Sequence, residues 1–456
     1  MALGLTPDQI IKKGTHPQLV IADEWERVEL KKIASVQNGF AFSSKLFNRT
    51  EGMPLIRIRD IFSVETENLY LGEYKEDFVV NKGDILIGMD GDFKVSKWPG
   101  NKGLLNQRVC RIHFESAYYE KEFLFICIQP YLNAIHSETS AVTVKHLSSR
   151  TINDIPFPLP PLPEQRAIVA KIEELFSDLD KGIADLNLAK EQLVVFRQAV
   201  LKKAFEGELT REWREKNEIT FDWEETNTGK AMPDINSGST PKSDFLFDKG
   251  EIQFLKVYNL NFDGTLNSNK NPAFTTNEVH NSQNKRAITI AGDVLINIVG
   301  PPLGKVSMIP LNSKKEFNIN QAIVRFRPNE KITSKFLCFF LQNPATVLWL
   351  ESKSNTTAGQ HNVKVTTCRE IPTNLPSIKE QNQIVKEIES RLSVCDKVEQ
   401  SIIESLEKAK ALRQSILKKA FEGKLLSAAE IERCKQEEDY EPASVLLEKI
   451  KKENKK

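Results

Sequence analysis

The sequence predicts an α+β protein in which two globular domains are joined by two long helices packed antiparallel as a coiled coil, the whole an internal repeat with a pseudo-two-fold axis. Three observations predict it. The nonapeptide LKKAFEGEL at 201–209 returns as LKKAFEGKL at 417–425. The stretch IPFPLPPLPEQRAIVAKIEELF from Ile155 returns as IPTNLPSIKEQNQIVKEIESRL from Ile371, and the offset of 216 holds without insertion from there to Leu209 and Leu425. Upstream of each block the likeness thins and the offset drifts: NQRVCRI at Asn106 answers NQAIVRF at Asn320, GDILI at Gly83 answers GDVLI at Gly292, LIRIRDI at Leu55 answers FLKVYNL at Phe254, and EWE at Glu24 answers DWE at Asp222. Length changes thus gather in two variable segments and spare two rigid ones, as loops tolerate insertions and long helices do not.

In chain order this gives an N-terminal extension (1–23), a first variable domain (24–158), a first helix (159–209), a linker and second variable domain (210–374), a second helix (375–426) and a C-terminal tail (427–456). The variable domains mix short strand-like runs (PLIRIRDIF, DFVV, GDILIGM, RVCRIHF) with Gly, Asn and Asp turns, and each has one short helix late in its span. The rigid segments carry an apolar seam in steps of four and three, the spacing of a coiled coil. In the first it runs through Ile168, Ile172, Leu175, Leu179, Gly182, Leu186, Ala189, Leu193, Phe196 and Val200. In the second it runs through Ile384, Ile388, Arg391, Cys395, Val398, Ile402, Ser405, Ala409, Leu412 and Ile416, with Arg391 and Ser405 as defects. Prolines precede each helix (Pro160, Pro161 and Pro163; Pro376), and SIKE at 377–380 reads as a capping box. At the far end, two lysines suit the negative pole of the helix dipole, and Gly207 and Gly423 suit a left-handed cap. Capping leaves the recurring Ala-Phe-Glu unexplained. Phe205 and Phe421 are expected to bury at the ends of the seam or against a variable domain. A helix from Glu164 to Ala204 is about 60 Å long; its economical partner is the other copy, antiparallel.

Composition narrows the function. With 456 residues, 40% apolar and 27% charged, the chain is globular and multidomain. Its longest apolar runs, FLFICI and FLCFFL, are far below the roughly 18 residues of a membrane span. No charged-then-apolar leader opens the sequence, so a cytoplasmic location is expected. Cys110, Cys127, Cys338, Cys368, Cys395 and Cys434 are scattered, which suits reduced, buried thiols rather than disulfides or zinc. The histidines form no metal-binding pair. A net charge of +1 neither advertises nor forbids nucleic-acid binding. GPPLGKVS at 300–307 has three residues between its glycines, where a P-loop needs four, and Val306 where it needs Ser or Thr. NPAF at 271–274 is read as an Asn-Pro turn. No metal site, nuclease centre or Ser/His/Asp set is discernible, so no catalysis is expected of this chain.

Two divergent domains, each followed by PLPPLPEQRAIVAKIEELF…FRQAVLKKAFEGEL or NLPSIKEQNQIVKEIES…LRQSILKKAFEGKL, make the chain similar to the specificity (S) subunit of type I restriction–modification enzymes, over nearly its whole length. The resemblance implies that each variable domain is a target recognition domain reading one half of a bipartite, asymmetric site in double-stranded DNA. The helices are then spacers that set the half-site separation and bind two modification (M) subunits, which carry S-adenosylmethionine and methylate adenine. Restriction (R) subunits, with ATP and Mg, join through the complex to translocate and cut. A spacer of about 60 Å is somewhat under two turns of B-DNA. The alternative from another class is a coiled-coil scaffold that binds proteins rather than DNA; a third is an enzyme with an unrecognised centre.

For major-groove readout, Arg or Lys suits guanine and Asn or Gln suits adenine. The first domain offers Arg57, Arg59, Lys94, Lys97, Asn101, Lys102, Asn106 and Gln107; the second offers Lys256, Tyr258, Asn259, Asn297, Lys305, Asn320 and Gln321. Many of these residues lie at corresponding places in the two copies, as two readers built on one plan require.

Overall fold

The structure is a computed structural model that describes residues 5–114, 116–139, 145–357 and 360–454. The chain divides into two compact units. Unit 1 comprises Met1–Ala184 and Leu406–Lys456, and unit 2 comprises Asp185–Ser405. Each unit holds one variable domain, the opening of one long helix and the close of the other. The sequence boundaries at 158 and 426 are therefore not boundaries in space: the tail packs in unit 1, where Cys434, Ala443, Leu446 and Ile450 are buried.

Each variable domain is tied off by a two-stranded ribbon. The entering strand Glu26–Glu29 pairs antiparallel with the leaving strand Pro156–Leu159, and Glu224–Asn227 pairs in the same way with Pro372–Leu375. Beyond the ribbon the strand order of the first sheet is the same in both units. In unit 1 an antiparallel sheet runs Ala34–Asn38, Val109–Phe114, Ile85–Gly88, Val95–Lys97; in unit 2 it runs Ile235–Ser237, Ile323–Phe326, Val294–Asn297, Val306–Met308. A second sheet in each unit contains one parallel pair, Met53–Ile56 with Lys102–Leu105 and Ile252–Leu255 with Phe317–Ile319. The expected late helix differs between copies. Lys121–Glu138 continues through Pro130, whereas the second copy breaks into Ser334–Gln342 and Pro344–Ser352, with Asn343 capping the second piece.

The long helices span Leu162–Phe205 and Ile378–Phe421, 44 residues each. Both stop in the same way. Gly207 and Gly423 take left-handed backbone (φ +77° and +67°), and the next residue's N–H reaches back to the lysine carbonyl five positions earlier, Glu208 to Lys203 at 3.0 Å and Lys424 to Lys419 at 2.8 Å. This is the glycine cap the sequence anticipates. A Cβ at Gly207 would overlap the Phe221 ring, so no other residue fits there without displacing it.

The Ala-Phe of the nonapeptide is core. Ala204 and Ala420 are fully buried and Phe421 is 3% exposed. Half-buried Phe205 sets its ring edge-on to Phe336 (5.3 Å) and Phe340 (5.6 Å) of the recognition-type domain in its unit.

The helix segments within each unit run antiparallel. In unit 2, Arg197 pairs with Asp396 (2.7 Å) and Glu399 (3.1 Å). In unit 1, Arg413 pairs with Asp180 and lies 4.4 Å from the Phe176 ring centre. Arg413 stands 216 residues after Arg197, and Asp396 stands 216 after Asp180, so both units make the same pair with the helices exchanged. The packed face departs from the expected seam. It passes through Leu179, Ile183, Leu186, Leu193 and Arg197 in one helix and Leu392, Cys395, Glu399, Ile402, Ala409 and Arg413 in the other. Gly182, Phe196, Arg391, Val398 and Leu412 are exposed. A helix with 3.6 residues per turn drifts about 20° per heptad against a strict seven-residue repeat, enough to move the buried position on by one residue.

Candidate nucleic-acid interface

Glu and Gln of the two helix starts, PEQR and KEQN, are structural. Trp25 donates from Nε1 to Glu164 (3.2 Å), and Trp223 donates in the same way to Glu380 (3.1 Å). Gln165 accepts from the N-cap N–H of Glu120 (2.7 Å) and donates to Pro160 O; Gln381 accepts from the N-cap N–H of Thr333 (2.9 Å) and donates to Pro376 O and Lys331 O. Each Gln thereby satisfies a free donor at the start of the domain's own helix. These residues fix the variable domain onto the long helix and are unavailable to DNA.

The candidate contact residues fall into three groups. The first holds loops closed. Buried Asn259 donates to Asn267 O (2.9 Å) and Lys270 O (2.8 Å) and accepts from Lys256 N (2.9 Å). Asp60 fills the matching role in unit 1 by accepting from Arg57 N (3.0 Å). Buried Asn297 donates to Val299 O and Pro302 O and accepts from Lys305 N, closing the loop between them. Asn106 is buried and Asn320 half-buried, beside Gly39 and Gly238. A Cβ at either glycine would collide with the backbone carbonyl of its neighbouring asparagine. The amides of Asn259 and Asn297 are thus spent on the fold, a correction to their selection, because a polar group buried without partners is costly and these found theirs in backbone.

The second group is tethered. Lys97 pairs with Glu122 and lies over the Phe125 ring at 4.8 Å. Tyr258 donates to Asn271 O (2.8 Å), with the Lys256 ammonium 6.0 Å from its ring centre. Lys305 lies 5.8 Å over Phe262. The third group is exposed and suited to contact: Arg59, Lys94, Asn101, Lys102, Gln107 and Gln321. Arg57 and Arg59 converge on one carboxylate, Glu67, at 2.9 and 3.1 Å, and Arg49, absent from the sequence selection, approaches it at 3.7 Å. Asp60 also lies 3.7 Å from Arg57, so three guanidinium groups against two carboxylates leave a net positive patch.

Burial pushes the thiols of Cys110, Cys338 and Cys368 up to about 12, far from a reactive thiolate. Among the described residues no cluster of three or more His, Cys, Asp or Glu is placed to hold a metal ion, and no helix is long and apolar enough to cross a membrane.

The duplicated domain-on-helix plan has a counterpart among known proteins. The family model for the type I restriction modification DNA specificity domain matches twice, over residues 22–187 and 222–408. The chain belongs to the type I restriction–modification DNA specificity family. The specificity subunit of the type I restriction enzyme EcoBI from Escherichia coli is 35% identical to it, across 99% of this chain and 97% of its own. In fold, this specificity subunit resembles a chain solved in a study of assembly and conformational transition of the type I restriction–modification system, with TM-score 0.66 at 19% identity, 89% of this chain and 100% of that one. It also resembles the HsdS subunit from Thermoanaerobacter tengcongensis, with TM-score 0.51 at 19% identity, 89% of this chain and 98% of that one. The specificity subunit is accordingly the non-catalytic, DNA-recognising part of such a system. The sequence resemblance and the two-domain architecture it implied hold.

Proposed function

We propose that this specificity subunit reads double-stranded DNA as two unlike half-sites, one in each unit, and that its paired helices fix the distance between them. One observation carries the proposal. The same four-stranded sheet, in the same strand order, is built twice on one helix frame, while the polar residues beside it differ between copies: Arg57 and Arg59 at one place, Lys256 and Tyr258 at the same place in the other. A conserved frame with divergent contact residues is what a reader of an asymmetric bipartite site requires. Each helix of 44 residues is about 66 Å long, close to two turns of B-DNA. Exposed Arg59, Lys94, Asn101, Lys102, Gln107 and Gln321 supply base or phosphate contacts; phosphate contacts position the protein and base contacts specify the sequence.

In the cytoplasm, two M subunits dock on the helix pair and bring S-adenosylmethionine for adenine methylation. R subunits bring ATP and Mg for cleavage. A genome-wide methylation map from cells carrying this chain with its M subunit tests the reading. The expected result is one motif of two unlike specific halves separated by unspecified bases. A single continuous motif, or none, would sink it.

A further inference from the structure

We propose that Arg108 of unit 1 is a specificity-determining residue that reads a guanine in one half-site. The inference rests on the half-site reading above and extends it to a residue that the pattern of paired motifs passes over.

Arg108 follows Gln107 at the rim of an open pocket of about 370 Å³ lined by Asn38, Gln107, Arg108, His146, Ser148 and Ser149 among others. Its side chain is 55% exposed. The guanidinium is nevertheless held: Nη1 lies 3.3 Å from Asp90 and 3.3 Å from His146 Nδ1, and His146 Nδ1 lies 2.6 Å from Asp90. Only Nη1 is engaged among the described residues, so the Nε–Nη2 edge keeps the paired donors that match guanine O6 and N7. Pre-orientation of this kind lowers the entropy lost on contact.

Two further observations separate this arrangement from an ordinary surface ion pair. Arg108 has φ +73°, in the left-handed region that disfavours long side chains. Glycine or asparagine would serve that turn better, so the fold alone gives no reason for arginine. The second observation comes from unit 2, where the same backbone ladder recurs. Met89 N–H donates to Arg108 O (2.8 Å) and Leu147 N–H to Met89 O (2.7 Å); Ile298 N–H donates to Ala322 O (2.8 Å) and Val363 N–H to Ile298 O (2.9 Å). On that ladder Arg108, Asp90 and His146 are replaced by Ala322, Val299 and Asn362. The preceding residue is glutamine in both (Gln107, Gln321). A platform kept in both copies, with its Arg–Asp–His triad in one alone, is the pattern of a readout position rather than a shared phosphate contact.

The test compares methylation maps of the intact chain with its M subunit and of Arg108→Gly and Arg108→Lys variants. Glycine relieves the left-handed backbone, so the variant is expected to fold and assemble. The expected result is that one guanine position, in one half of the motif, loses discrimination by about tenfold or more, since a bidentate arginine–guanine contact discriminates by roughly 1–3 kcal/mol. The other half remains intact, which also proves assembly. Lysine is expected to restore discrimination only in part. An unchanged motif, or methylation reduced evenly across all sites with both halves kept, would overturn the role of Arg108 while leaving the bipartite reading in place. Absence of a bipartite motif with the unaltered chain would overturn that reading itself.

Discussion

Glu164 and Glu380 occupy the same place in the repeat but have different partners. Both accept from a tryptophan N–H, but Glu380 also accepts from Arg214 Nη1 (2.6 Å) and Thr210 Oγ1 (2.8 Å), all of them buried. Glu164 has no arginine partner among the described residues, and burial holds its carboxyl above the ordinary glutamate range, against the opposing effect of the Trp25 hydrogen bond. A carboxyl whose folded pKa exceeds its unfolded value binds more protons folded than unfolded. The contribution of this carboxyl to stability is therefore fully present below the unfolded value of about 4.3 and is lost as pH rises through the raised folded value. Glu164→Gln keeps an acceptor for Trp25 and removes that decline, so thermal unfolding of unit 1 at neutral pH is expected to shift up or stay level, with a flatter pH dependence. Glu380→Gln strands buried Arg214 and is expected to cost about 3–5 kcal/mol. A loss of similar size from both variants would refute the contrast. The sequence shows the Glu-Gln pair recurring but hides its purpose, because the partners lie 139 and 157 residues away along the chain.

For the long helices, the existence, ends and antiparallel partner were legible in the sequence; the packed face was legible only near the ends. Taking one buried or half-buried position per turn, the line Ile168, Ile172, Leu175, Leu179, Ile183, Leu186, Ala189, Leu193, Arg197, Val200, Ala204 takes ten steps over 36 residues, and the line from Ile384 to Ala420 does the same. That is the period of a straight helix, 3.6 residues, where a coiled-coil template assumes 3.5. Near Ile168 and Ile384 the two periods coincide, so Ile168, Ile172, Ile384 and Ile388 are buried as expected. Towards the middle they part, and Val398 (42% exposed) and Leu412 (52% exposed) turn outward while Glu399 and Arg413 turn in. Neighbouring variants test this directly. Ile402, 5% exposed, is expected to cost about 2 kcal/mol on truncation to alanine. Val398→Ala is expected to change stability by less than about 0.5 kcal/mol, since the methyls it loses face solvent and alanine favours the helix. Equal losses in denaturant unfolding would restore the heptad seam. The variable domains were less legible still: the strand runs were visible, but their pairing depends on contacts far apart in sequence. The candidate site was legible only in its exposed members. Nothing in the residue types separates Asn297, which closes a loop, from Gln107, which faces outward.

The largest departure from the sequence reading concerns which segments fold together. The repeat ends in register at Leu425, so residues beyond it have no counterpart to argue from and read as a tail. In the fold they complete unit 1. Asp439 takes both ends of the Arg166 guanidinium at 2.8 Å, and Asn454 donates to Lys32 O (3.1 Å). Unit 2 is one continuous stretch of chain, whereas unit 1 is assembled from both ends. Removing residues 427–456 therefore acts on one unit alone. It uncovers the core that Leu446 and Ile450 fill, two side chains whose burial contributes about 1.5–3 kcal/mol each, a large share of the 5–15 kcal/mol by which domains are ordinarily stable. Amide hydrogen exchange on the truncated chain is expected to show lost protection in Ile85–Gly88, Val109–Phe114 and Lys121–Glu138, with Val294–Asn297 and Ile323–Phe326 protected as before. Protection lost equally in both sets, or in neither, would mean that the C-terminal helices are not part of the unit 1 core.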